Sequence, residues 1–470
     1  MRPIDRPYAD LRHFLADLQE HGELTRVSAE VEADQEIAAI CRRAGRSGGG
    51  PALWFEHVRG YTMPVVANVW GTRRRYAMML GVDESRLYRS WTERVDGGGV
   101  PTRSVSGAPC QEIVLTGDAI DITRLPVPTW NEQDAGAYLT SAVCLSRDPE
   151  TGSRNSGVYR MLVLGPDRAT LCVNPARPVM RHRAKYAALG RRTPAAIVIG
   201  GDPVYSAAAA APFPDGIDEL EMAGALRGAP IEMVPARTID LEVPATAEIV
   251  LEGEITDETR SDGPFGEFHG YYGPPMEVPV FQITALTHRR DPVFQGVDLG
   301  VPPTEYQVFG NLPFEFELRR QVGLASMMTG FALVDGGSRF VAIVRIRKEH
   351  RGQGREVGAA VLNTPKAEAI RLVIVVDDDI DIDDPQMVYW ALGTRVDPAR
   401  DVEILHDMPG NRLDPLMDPA ERSSKRFRVA KMIVDATRPD VRELPDACAP
   451  SAAALELVER RWSEYGITLA

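Results

Sequence analysis

The sequence predicts a multidomain protein of mixed α/β class. The chain has 470 residues, which is too long for one hydrophobic core of usual size. Its first hundred residues alternate amphipathic helices with short apolar runs, whereas residues 110–299 contain mainly strand-sized runs bounded by turn residues. We therefore expect an amino-terminal α/β domain over residues 1–108, a mainly β domain over 109–303, a linker helix over 304–330 and a carboxy-terminal α/β domain over 331–470.

A helix is predicted near the amino terminus. Apolar residues between Leu11 and Leu18 recur at helical spacing and are interrupted by charges, so the segment lacks the continuous apolar core of a signal peptide. Two short apolar runs follow at residues 52–55 and 63–68. The Gly-rich stretch Asp96–Pro101 then indicates a boundary of this small α/β domain.

The middle of the chain contains runs rich in β-branched residues with Gly or Pro at their ends. This pattern is typical of a mainly β domain. One helix is predicted near Asp218–Leu226. The predicted strands cover residues 112–115, 157–164, 195–200, 248–252 and 280–284.

The last part of the chain begins with a predicted helix over Glu315–Gly323. Residues 340–345 and 371–376 are typical of buried strands in an α/β layer, and the tail Ala452–Tyr465 is amphipathic and helical. The acidic run Asp377–Asp384 follows the second strand directly and lacks the glycine and glutamate of an EF-hand loop. A solvated strand-to-loop edge is the favoured interpretation of this run, and a calcium or magnesium site is the alternative.

Composition excludes several classes of function. A net charge of −14 argues against a broad nucleic-acid-binding surface, which needs clustered Lys and Arg. The five cysteines are scattered and never form a CxxC pair, so they indicate neither a disulfide framework nor a zinc site. The sequence contains no run approaching the roughly 20 apolar residues that span a bilayer. We expect a cytoplasmic enzyme with no nucleic-acid or membrane partner.

Two separated polar segments carry the strongest sign of chemistry, Asn155–Arg160 (NSGVYR) and Asp262–Glu267 (DGPFGE). The second places two carboxylates five residues apart around a stiff Gly-Pro-Phe-Gly turn, which can aim both acids into a cleft. An arginine and two acids suffice for proton transfer beside an anionic substrate. The alternatives are a turn Asn followed by an Arg on a solvated strand face, and a surface turn with two exposed acids. His269 either serves the same cleft or is structural.

An acidic segment around Glu219 lies between these two motifs. Asp218, Glu219 and Glu221 open a predicted helix, where acids commonly balance the helix dipole. From spacing alone this interpretation is favoured over a metal ligand. The sequence contains no G-x-S-x-G, HExxH or Walker motif and no G-x-G-x-x-G opening a βαβ unit, so motifs alone leave the substrate open.

Six motifs together, and in this order, resemble one family. The chain is similar over most of its length to the UbiD-like reversible decarboxylases, which use prenylated FMN. The resemblance implies an amino-terminal α/β domain, a central flavin-binding split β-barrel and a carboxy-terminal α/β domain with a terminal helix, assembled as a homodimer or larger homo-oligomer. The motifs cover residues 155–160, 212–219, 243–253, 263–270, 376–381 and 390–395.

The resemblance implies a carboxy-lyase. Its reaction is the non-oxidative, reversible decarboxylation of an α,β-unsaturated or (hetero)aromatic acid through a covalent adduct with prenylated FMN, which a flavin prenyltransferase supplies. Arg160, Asp262 and Glu267 match the catalytic trio, in which the arginine orients the substrate carboxylate and the last acid returns a proton. Phe309 and Leu312 fall where such proteins line the substrate pocket.

The resemblance also implies a metal-assisted cofactor site. A divalent metal, manganese or magnesium, holds the flavin phosphate with ligands that match Asn155 and Glu219, and potassium shares Glu219. This replaces the helix-dipole interpretation of Glu219. The positions that match cofactor contacts are Asn155, Ser156, Gly157, Val158, Tyr159, Arg160, Arg177, Ala210, Ala211, Pro212, Glu219 and Lys366.

Two positions depart from the family pattern. Asp262 stands where the family usually has Glu, which withdraws the carboxylate by about 1.5 Å. The family's metal-binding histidine falls near residues 176–178, where none is present, and His182 aligns less naturally. Either another ligand completes the metal site or Arg177 meets the flavin phosphate directly. The alternative to an active enzyme is a flavin-binding or assembly protein with lost or altered catalysis.

Overall fold

A computed structural model of the chain describes residues 7–417, 427–439, 444–445 and 447–467. The first helix begins where the Asp10 side chain accepts the backbone N–H of His13, and it buries Leu11 and Leu18, as predicted. The first part of the chain comprises α1 (Leu11–Glu20), β1 (Leu24–Val31), α2 (Glu36–Gly45), β2 (Ala52–Val58), β3 (Val65–Ala67), α3 (Arg73–Leu80) and α4 (Leu87–Asp96).

The middle of the chain is mainly β, as predicted, with three helices. Its elements are β4 (Arg103–Ser104), β5 (Ile113–Thr116), β6 (Tyr138–Leu139), β7 (Val143–Arg147), β8 (Arg154–Val158), β9 (Met161–Gly165), β10 (Arg168–Thr170), α5 (Pro178–Ala188), β11 (Thr193–Ile199), α6 (Pro203–Ala210), α7 (Glu219–Arg227), β12 (Glu232–Pro235), β13 (Glu242–Pro244), β14 (Ile249–Asp262), β15 (Phe265–Gly266), β16 (Tyr272–Gly273), β17 (Met276–His288) and β18 (Phe294–Gln295).

Nine of these strands form one antiparallel sheet in the order β6-β9-β10-β17-β14-β11-β7-β8, with β5 paired to β17. β8 ends at Val158 and β9 begins at Met161, although the two strands lie near opposite ends of this order. Three peptide links let these two Cα atoms be at most roughly 11 Å apart. The sheet therefore curls until its ends approach each other, and the predicted split barrel is confirmed.

The first and middle parts of the chain share one hydrophobic core. β18 joins the amino-terminal sheet by pairing in parallel with β3, so that sheet has the order β1-β2-β3-β18. The core extends without a break from Tyr8 on the amino-terminal side to Phe316. The amino-terminal sheet is thereby fixed against the curled sheet.

The last part of the chain is an α/β layer. Its five-stranded sheet has the order β19-β20-β21-β23-β22, in which β20, β21 and β23 are parallel, and apolar clusters cover both faces. The elements are α8 (Glu305–Phe309), α9 (Asn311–Gln321), β19 (Met328–Leu333), β20 (Val341–Ile346), α10 (Gln353–Leu362), β21 (Leu372–Asp377), α11 (Pro385–Arg395), β22 (Val402–Pro409), β23 (Arg428–Asp435) and α12 (Ala452–Arg461).

The acidic run 377–384 has structural partners. Arg395, whose side chain is only 2% exposed, donates to Asp377 at 3.0 Å and to Asp379 at 2.8 Å. Asp384 caps the first turn of α11 by accepting the N–H of Gln386. The run ties β21 to α11, which is a more ordered arrangement than the solvated edge favoured from sequence.

Among the described residues, no helix is both long enough and apolar enough to cross a membrane.

Candidate active site

Arg160, Asp262 and Glu267 come together in a buried cluster, although about a hundred residues of chain separate the arginine from the acids. Arg160 Nε and Nη2 lie 2.9 and 2.8 Å from Asp262 Oδ1. Arg160 Nη1 donates to Glu267 Oε1. The side chain of Asp262 is 0% exposed, that of Glu267 5% and that of Arg160 10%. The surface-turn interpretation of the two acids is therefore wrong.

Two different elements hold the two acids. Asp262 is the last residue of the long strand β14, where it pairs with Met276 on β17. Glu267 follows β15 in a short hairpin with β16, and its backbone N–H donates to the carbonyl of Tyr271 at 3.0 Å. A Cβ at Gly273 would approach Glu267 Oε1 to 2.9 Å, so a side chain at this position would displace the Glu267 carboxylate. The DGPFGE motif is thus a strand end followed by a hairpin.

Arg160 lies in the two-residue connection between β8 and β9, where sequence analysis predicted one continuous strand over 157–164. That prediction is wrong because β8 pairs with β7, whereas β9 pairs with β6 and β10. The connection crosses the seam of the split barrel, and the carbonyl of Arg160 accepts the N–H of Cys172 there. The Arg160 guanidinium stacks 4.6 Å from the centre of the Phe265 ring.

Sequence reasoning missed Thr170, which holds the other oxygen of Asp262. Thr170 Oγ1 donates to Asp262 Oδ2 at 2.6 Å and accepts the backbone N–H of Leu162 at 2.8 Å. Asp262 therefore accepts from Arg160 on one oxygen and from Thr170 on the other. No motif could have revealed this role, since Thr170 becomes a neighbour of Asp262 only through the pairing of β10 with β17.

Burial gives Glu267 the electrostatics of a proton carrier. Desolvation raises the pKa of the Glu267 carboxyl above its ordinary range, and attraction to Arg160 opposes this only in part. Burial lowers the pKa of Arg160, but the charges of Glu267 and Asp262 outweigh it and the net shift is upward. The cluster thus combines a charged arginine with an acid that burial makes easier to protonate than an ordinary glutamate.

A cavity of about 940 Å³ adjoins the cluster. Tyr159, the neighbour of Arg160, lines it, and so does Tyr306, whose ring lies 5.8 Å from that of Phe268 beside Glu267. Its size falls within the range of ligand sites, roughly 300–1,000 Å³. The sequence-predicted residues that line it are Asn155, Ser156, Gly157, Val158, Tyr159, Arg177, Ala210, Ala211, Pro212, Glu219, Lys366 and Phe309.

Of the residues predicted to contact the cofactor or to line the substrate pocket, Leu312 and Arg160 lie outside the lining of the cavity. Leu312 is 2% exposed and packs in the hydrophobic core, outside the set of residues that line the cavity. Lys366 does line it, where its Nζ donates to the carbonyls of Pro212 and Phe213 and burial lowers its pKa.

Asn155 and Glu219 form a buried pair at one side of the cavity. Asn155 Nδ2 donates to Glu219 Oε1 at 2.8 Å, and the backbone N–H of Ser156 donates to Oε2 at 2.7 Å. Asn155 Oδ1 is buried without a hydrogen-bond partner among the described residues. Glu219 is not the residue that caps its helix, because Asp218 accepts the N–H of Leu220. Glu219 lies in the first turn of α7, as the helix-dipole interpretation expects, and its carboxylate in addition accepts from Asn155 and Ser156.

The pair fits a hard cation. Burial raises the pKa of Glu219 to about 8, which shows how poorly its negative charge is compensated. The unpartnered amide oxygen of Asn155 and the carboxylate of Glu219 are oxygen donors of the kind that Mg²⁺ and Mn²⁺ prefer. Within the described part of the chain, no group of three or more His, Cys, Asp or Glu side chains forms a metal site.

The structure pairs His182 with Ser146, the cross-strand neighbour of Asn155, and His182 is not among the residues that line the cavity. His182 lies on α5, is 6% exposed, and its Nδ1 lies 3.0 Å from the hydroxyl of Ser146 on β7. Burial lowers its pKa. Arg177, by contrast, caps the start of α5 and lines the cavity beside Asn155. A cationic side chain, and not a histidine, therefore faces the cavity here.

Family models match most of the chain. The model described as the 3-octaprenyl-4-hydroxybenzoate carboxy-lyase Rift-related domain matches residues 103–302. Models of the amino-terminal and carboxy-terminal domains of that carboxy-lyase match residues 15–95 and 309–436. Among curated proteins, an uncharacterized protein of Archaeoglobus fulgidus is 35% identical over 486 residues, which cover 97% of this chain and 98% of the relative.

Solved structures are similar over nearly the whole chain. The UbiD-class enzyme HmfF of Pelotomaculum thermopropionicum in complex with FMN is 36% identical with a TM-score of 0.86, covering 96% of this chain and 99% of that one. An evolved dimeric form of HmfF with prFMN is 35% identical with a TM-score of 0.83 over 96% and 99% of the two chains. The vanillic acid decarboxylase of Sedimentibacter hydroxybenzoicus is 32% identical with a TM-score of 0.85 over 98% and 100%.

Proposed function

The chain belongs to the UbiD carboxy-lyase family, and from this premise we propose that it catalyses the non-oxidative, reversible decarboxylation of an α,β-unsaturated or (hetero)aromatic carboxylic acid with prenylated FMN as cofactor. The observation that carries the proposal is the buried cluster of Arg160, Asp262 and Glu267 beside a cavity of about 940 Å³. The solved structures of HmfF with FMN and with prFMN support the choice of cofactor.

The cavity offers suitable partners for such a cofactor. Arg177 and Lys366 provide positive charge for its phosphate, and Ala210 and Ala211 leave room because their side chains are small. Asn155 and Glu219 would hold Mn²⁺ or Mg²⁺, which would supply further positive charge near the phosphate, and Glu219 would also be a ligand for K⁺. When bound, prenylated FMN supplies a covalent electron sink for the bond between the α-carbon and the carboxylate.

Arg160 binds and orients the substrate in this proposal. Its guanidinium remains charged, and Asp262 and Phe265 fix its plane, so it presents N–H groups to the substrate carboxylate in one orientation. Asp262 acts only as an acceptor, because both of its oxygens receive hydrogen bonds. Its part is to hold Arg160.

Glu267 handles the proton. Loss of carbon dioxide leaves an electron pair on the former α-carbon, and a proton must replace the departed carboxyl group. Burial raises the pKa of Glu267, which enables its carboxyl group to deliver that proton and to regain one from solvent. In the reverse direction Glu267 takes the proton from the same carbon.

We infer that the working enzyme is a homodimer or larger homo-oligomer and that it acts in the cytoplasm with a flavin prenyltransferase as cofactor supplier. The dimeric form of evolved HmfF supports self-association. The other role considered, a flavin-binding protein without catalysis, was suggested partly by the short acid Asp262. That argument weakens because Asp262 still reaches Arg160 at 2.8–2.9 Å.

The test is co-expression with a flavin prenyltransferase, followed by absorption spectroscopy and a screen of cinnamic, hydroxybenzoic and heteroaromatic acids for carbon dioxide release or deuterium exchange. Glu267→Gln is the matched control, since it keeps the size of the side chain but carries no transferable acid proton. We expect coloured protein and turnover that this variant lacks. Colourless protein without turnover would count against an enzyme, and bound cofactor without turnover would favour the non-catalytic role.

A further inference from the structure

Arg339, two residues before β20 begins, lines the same cavity and has no part in the function described above. Its Nε donates to Asn311 Oδ1 at 2.7 Å, and its Nη2 donates to the carbonyl of Gly310 and, at 3.3 Å, to the hydroxyl of Tyr306. Three of the five guanidinium N–H groups are thereby used. Among the described residues, Nη1 has no acceptor for its two protons.

The charge of Arg339 is also uncompensated. No carboxylate of the described residues lies within 4.0 Å of its guanidinium, and all three acceptors are neutral. Aromatic rings surround it instead, with centres 5.6 Å away at Phe268, 5.5 Å at Tyr306 and 4.8 Å at Phe314. Such rings stabilise a cation in a partly dry site and leave it free to attract an anion.

The backbone holds this side chain in place at some cost. Ser338 and Arg339 both have positive φ angles, 48° and 67°, in the left-handed region that residues other than glycine rarely adopt. Gly310 allows the close approach of the guanidinium, because a Cβ there would lie 2.8 Å from Arg339 Nη2. The strained conformation and the glycine contact fix the guanidinium before any ligand arrives.

Arg339 lies near the reacting end of the site. Phe268, which its guanidinium contacts, directly follows Glu267, and Tyr306 and Phe309 on α8 line the cavity beside it. Lys366, at the proposed phosphate end, has other neighbours, because its Nζ donates to the carbonyls of Pro212 and Phe213. Arg339 is thus placed to meet the substrate and not the phosphate of a cofactor.

We propose that Arg339 binds a second carboxylate of the substrate, so that the substrate class is a dicarboxylic unsaturated or aromatic acid. Arg160 then holds the carboxylate that leaves, and the two free N–H groups of Arg339 hold the one that stays. This inference rests on the proposed function and narrows it. A monocarboxylic acid would leave the Arg339 charge without an anionic partner in the cavity.

Paired ligands test the inference by binding alone. Isothermal titration calorimetry on the holoenzyme compares terephthalate with 4-methylbenzoate, and trans,trans-muconate with sorbate. In each pair a methyl group replaces the second carboxylate. We expect the wild type to bind each diacid about 10-fold more tightly or better, the effect of one charged hydrogen bond. Arg339→Gln should bring each ratio close to one.

Two further variants separate this role from a structural one. Arg339→Lys keeps the charge and should retain part of the preference for diacids. Arg412→Gln removes another arginine that lines the cavity and should leave the ratios unchanged. Thermal unfolding of each holoenzyme shows whether it is folded. A structural role for Arg339 would weaken both ligands of a pair equally and leave their ratio at the wild-type value.

Several outcomes would overturn the inference. Equal binding of diacid and monoacid by the wild type would refute it. It would also be refuted if the preference for diacids disappeared in Arg412→Gln but persisted in Arg339→Gln. Loss of flavin from Arg339→Gln with an unchanged ratio would make Arg339 a cofactor contact. Turnover of monoacids alone would refute the diacid class and leave the decarboxylase standing, whereas neither binding nor turnover of any acid would remove both.

Discussion

At the scale of single residues, the environment of Asp262 explains how a short acid works in this site. Its Oδ1 accepts the Nε–H of Arg160 and lies 2.8 Å from Arg160 Nη2 as an ion pair, and its Oδ2 accepts the hydroxyl of Thr170 at 2.6 Å. Thr170 cannot retreat easily, because its oxygen also accepts the N–H of Leu162 on β9. The space in front of Asp262 is therefore matched to a side chain of this length.

A longer acid at position 262 should impair the enzyme. The added methylene of Asp262→Glu would push the carboxylate against the Thr170 hydroxyl and displace Arg160. We expect a loss of about 10- to 100-fold in kcat/KM on a substrate found by the acid screen. The double variant with Thr170→Ala, which opens space, should recover part of that loss. A single Asp262→Glu variant at or above wild-type activity would contradict this account of the pocket.

Removal of the Asn155 amide should empty the metal site. Asn155→Ala deletes the unpartnered oxygen and one donor to Glu219, so we expect purified protein to lose most of its bound manganese or magnesium in elemental analysis. Asn174→Ala changes another asparagine of the cavity lining and should retain the metal. Wild-type holoprotein that contains flavin but no stoichiometric metal would instead favour direct contact of Arg177 with the phosphate.

At the scale of elements, the sequence predicted those helices and strands that a pattern of neighbouring residues marks, such as apolar spacing or acids at a helix start. Helix α1 followed from its apolar spacing, and α7 from the acids at its start. The break between β8 and β9 could not be predicted, because residues 157–164 form one strand-sized run without Gly or Pro after its first residue, and only the partners of each strand divide them. The same holds for Arg339, whose neighbours on α8 and α9 are about 30 residues away in sequence.

Helix α8 contacts the amino-terminal part of the chain through the buried acid Glu305, which should make the free energy of unfolding depend on pH. Glu305 accepts the N–H groups of Asn68 and Trp70 at 2.8 and 2.9 Å, and burial raises its pKa to about 7 from an ordinary 4.5. The folded state therefore keeps a proton that the unfolded state releases. The free energy of unfolding should fall as pH rises from 4.5 to about 7.

Urea unfolding of the metal-free protein between pH 4.5 and 8 measures this dependence. Glu305→Gln cannot titrate and should show a shallower fall than the wild type, while Glu315 and Asp298, whose pKa values burial also raises, keep part of the slope. Glu132→Gln at an exposed position is the matched control and should leave the slope unchanged. An identical slope for Glu305→Gln and the wild type would refute a raised pKa at this helix.

At the scale of the whole molecule, the cavity draws its lining from distant parts of the chain. Asn155 and Glu219 come from the curled sheet and its helices, whereas Arg339, Lys366 and Arg412 come from the last α/β layer. Sequence motifs identified Asn155 and Glu219, because each of these residues lies within a short motif that can be recognised from consecutive residues. Arg339 and Arg412 lie in no recognised motif. Only the packing of the last α/β layer against the curled sheet brings them to the cavity.

The terminal helix α12 presents an apolar stripe that fits a second copy of this chain. Leu455 and Val458 on α12 and Trp462, which directly follows its last residue, recur at spacings of three and four, and all three are exposed. None of the residues of α12 is buried against the rest of the described chain. A family resemblance that implies a homo-oligomer makes another copy the expected partner for this stripe.

A charge placed in the stripe should therefore weaken self-association. We expect the double variant Leu455→Asp and Val458→Asp to sediment as a smaller species than the wild type in analytical ultracentrifugation, because a buried unpaired carboxylate destabilises an interface. Its thermal unfolding at low protein concentration should match the wild type, since α12 contributes nothing to the core of a single chain. Ala453→Asp adds a charge to the other side of α12 and should leave the oligomer intact. Equal sedimentation of the stripe variant and the wild type would show that the subunits associate through another surface.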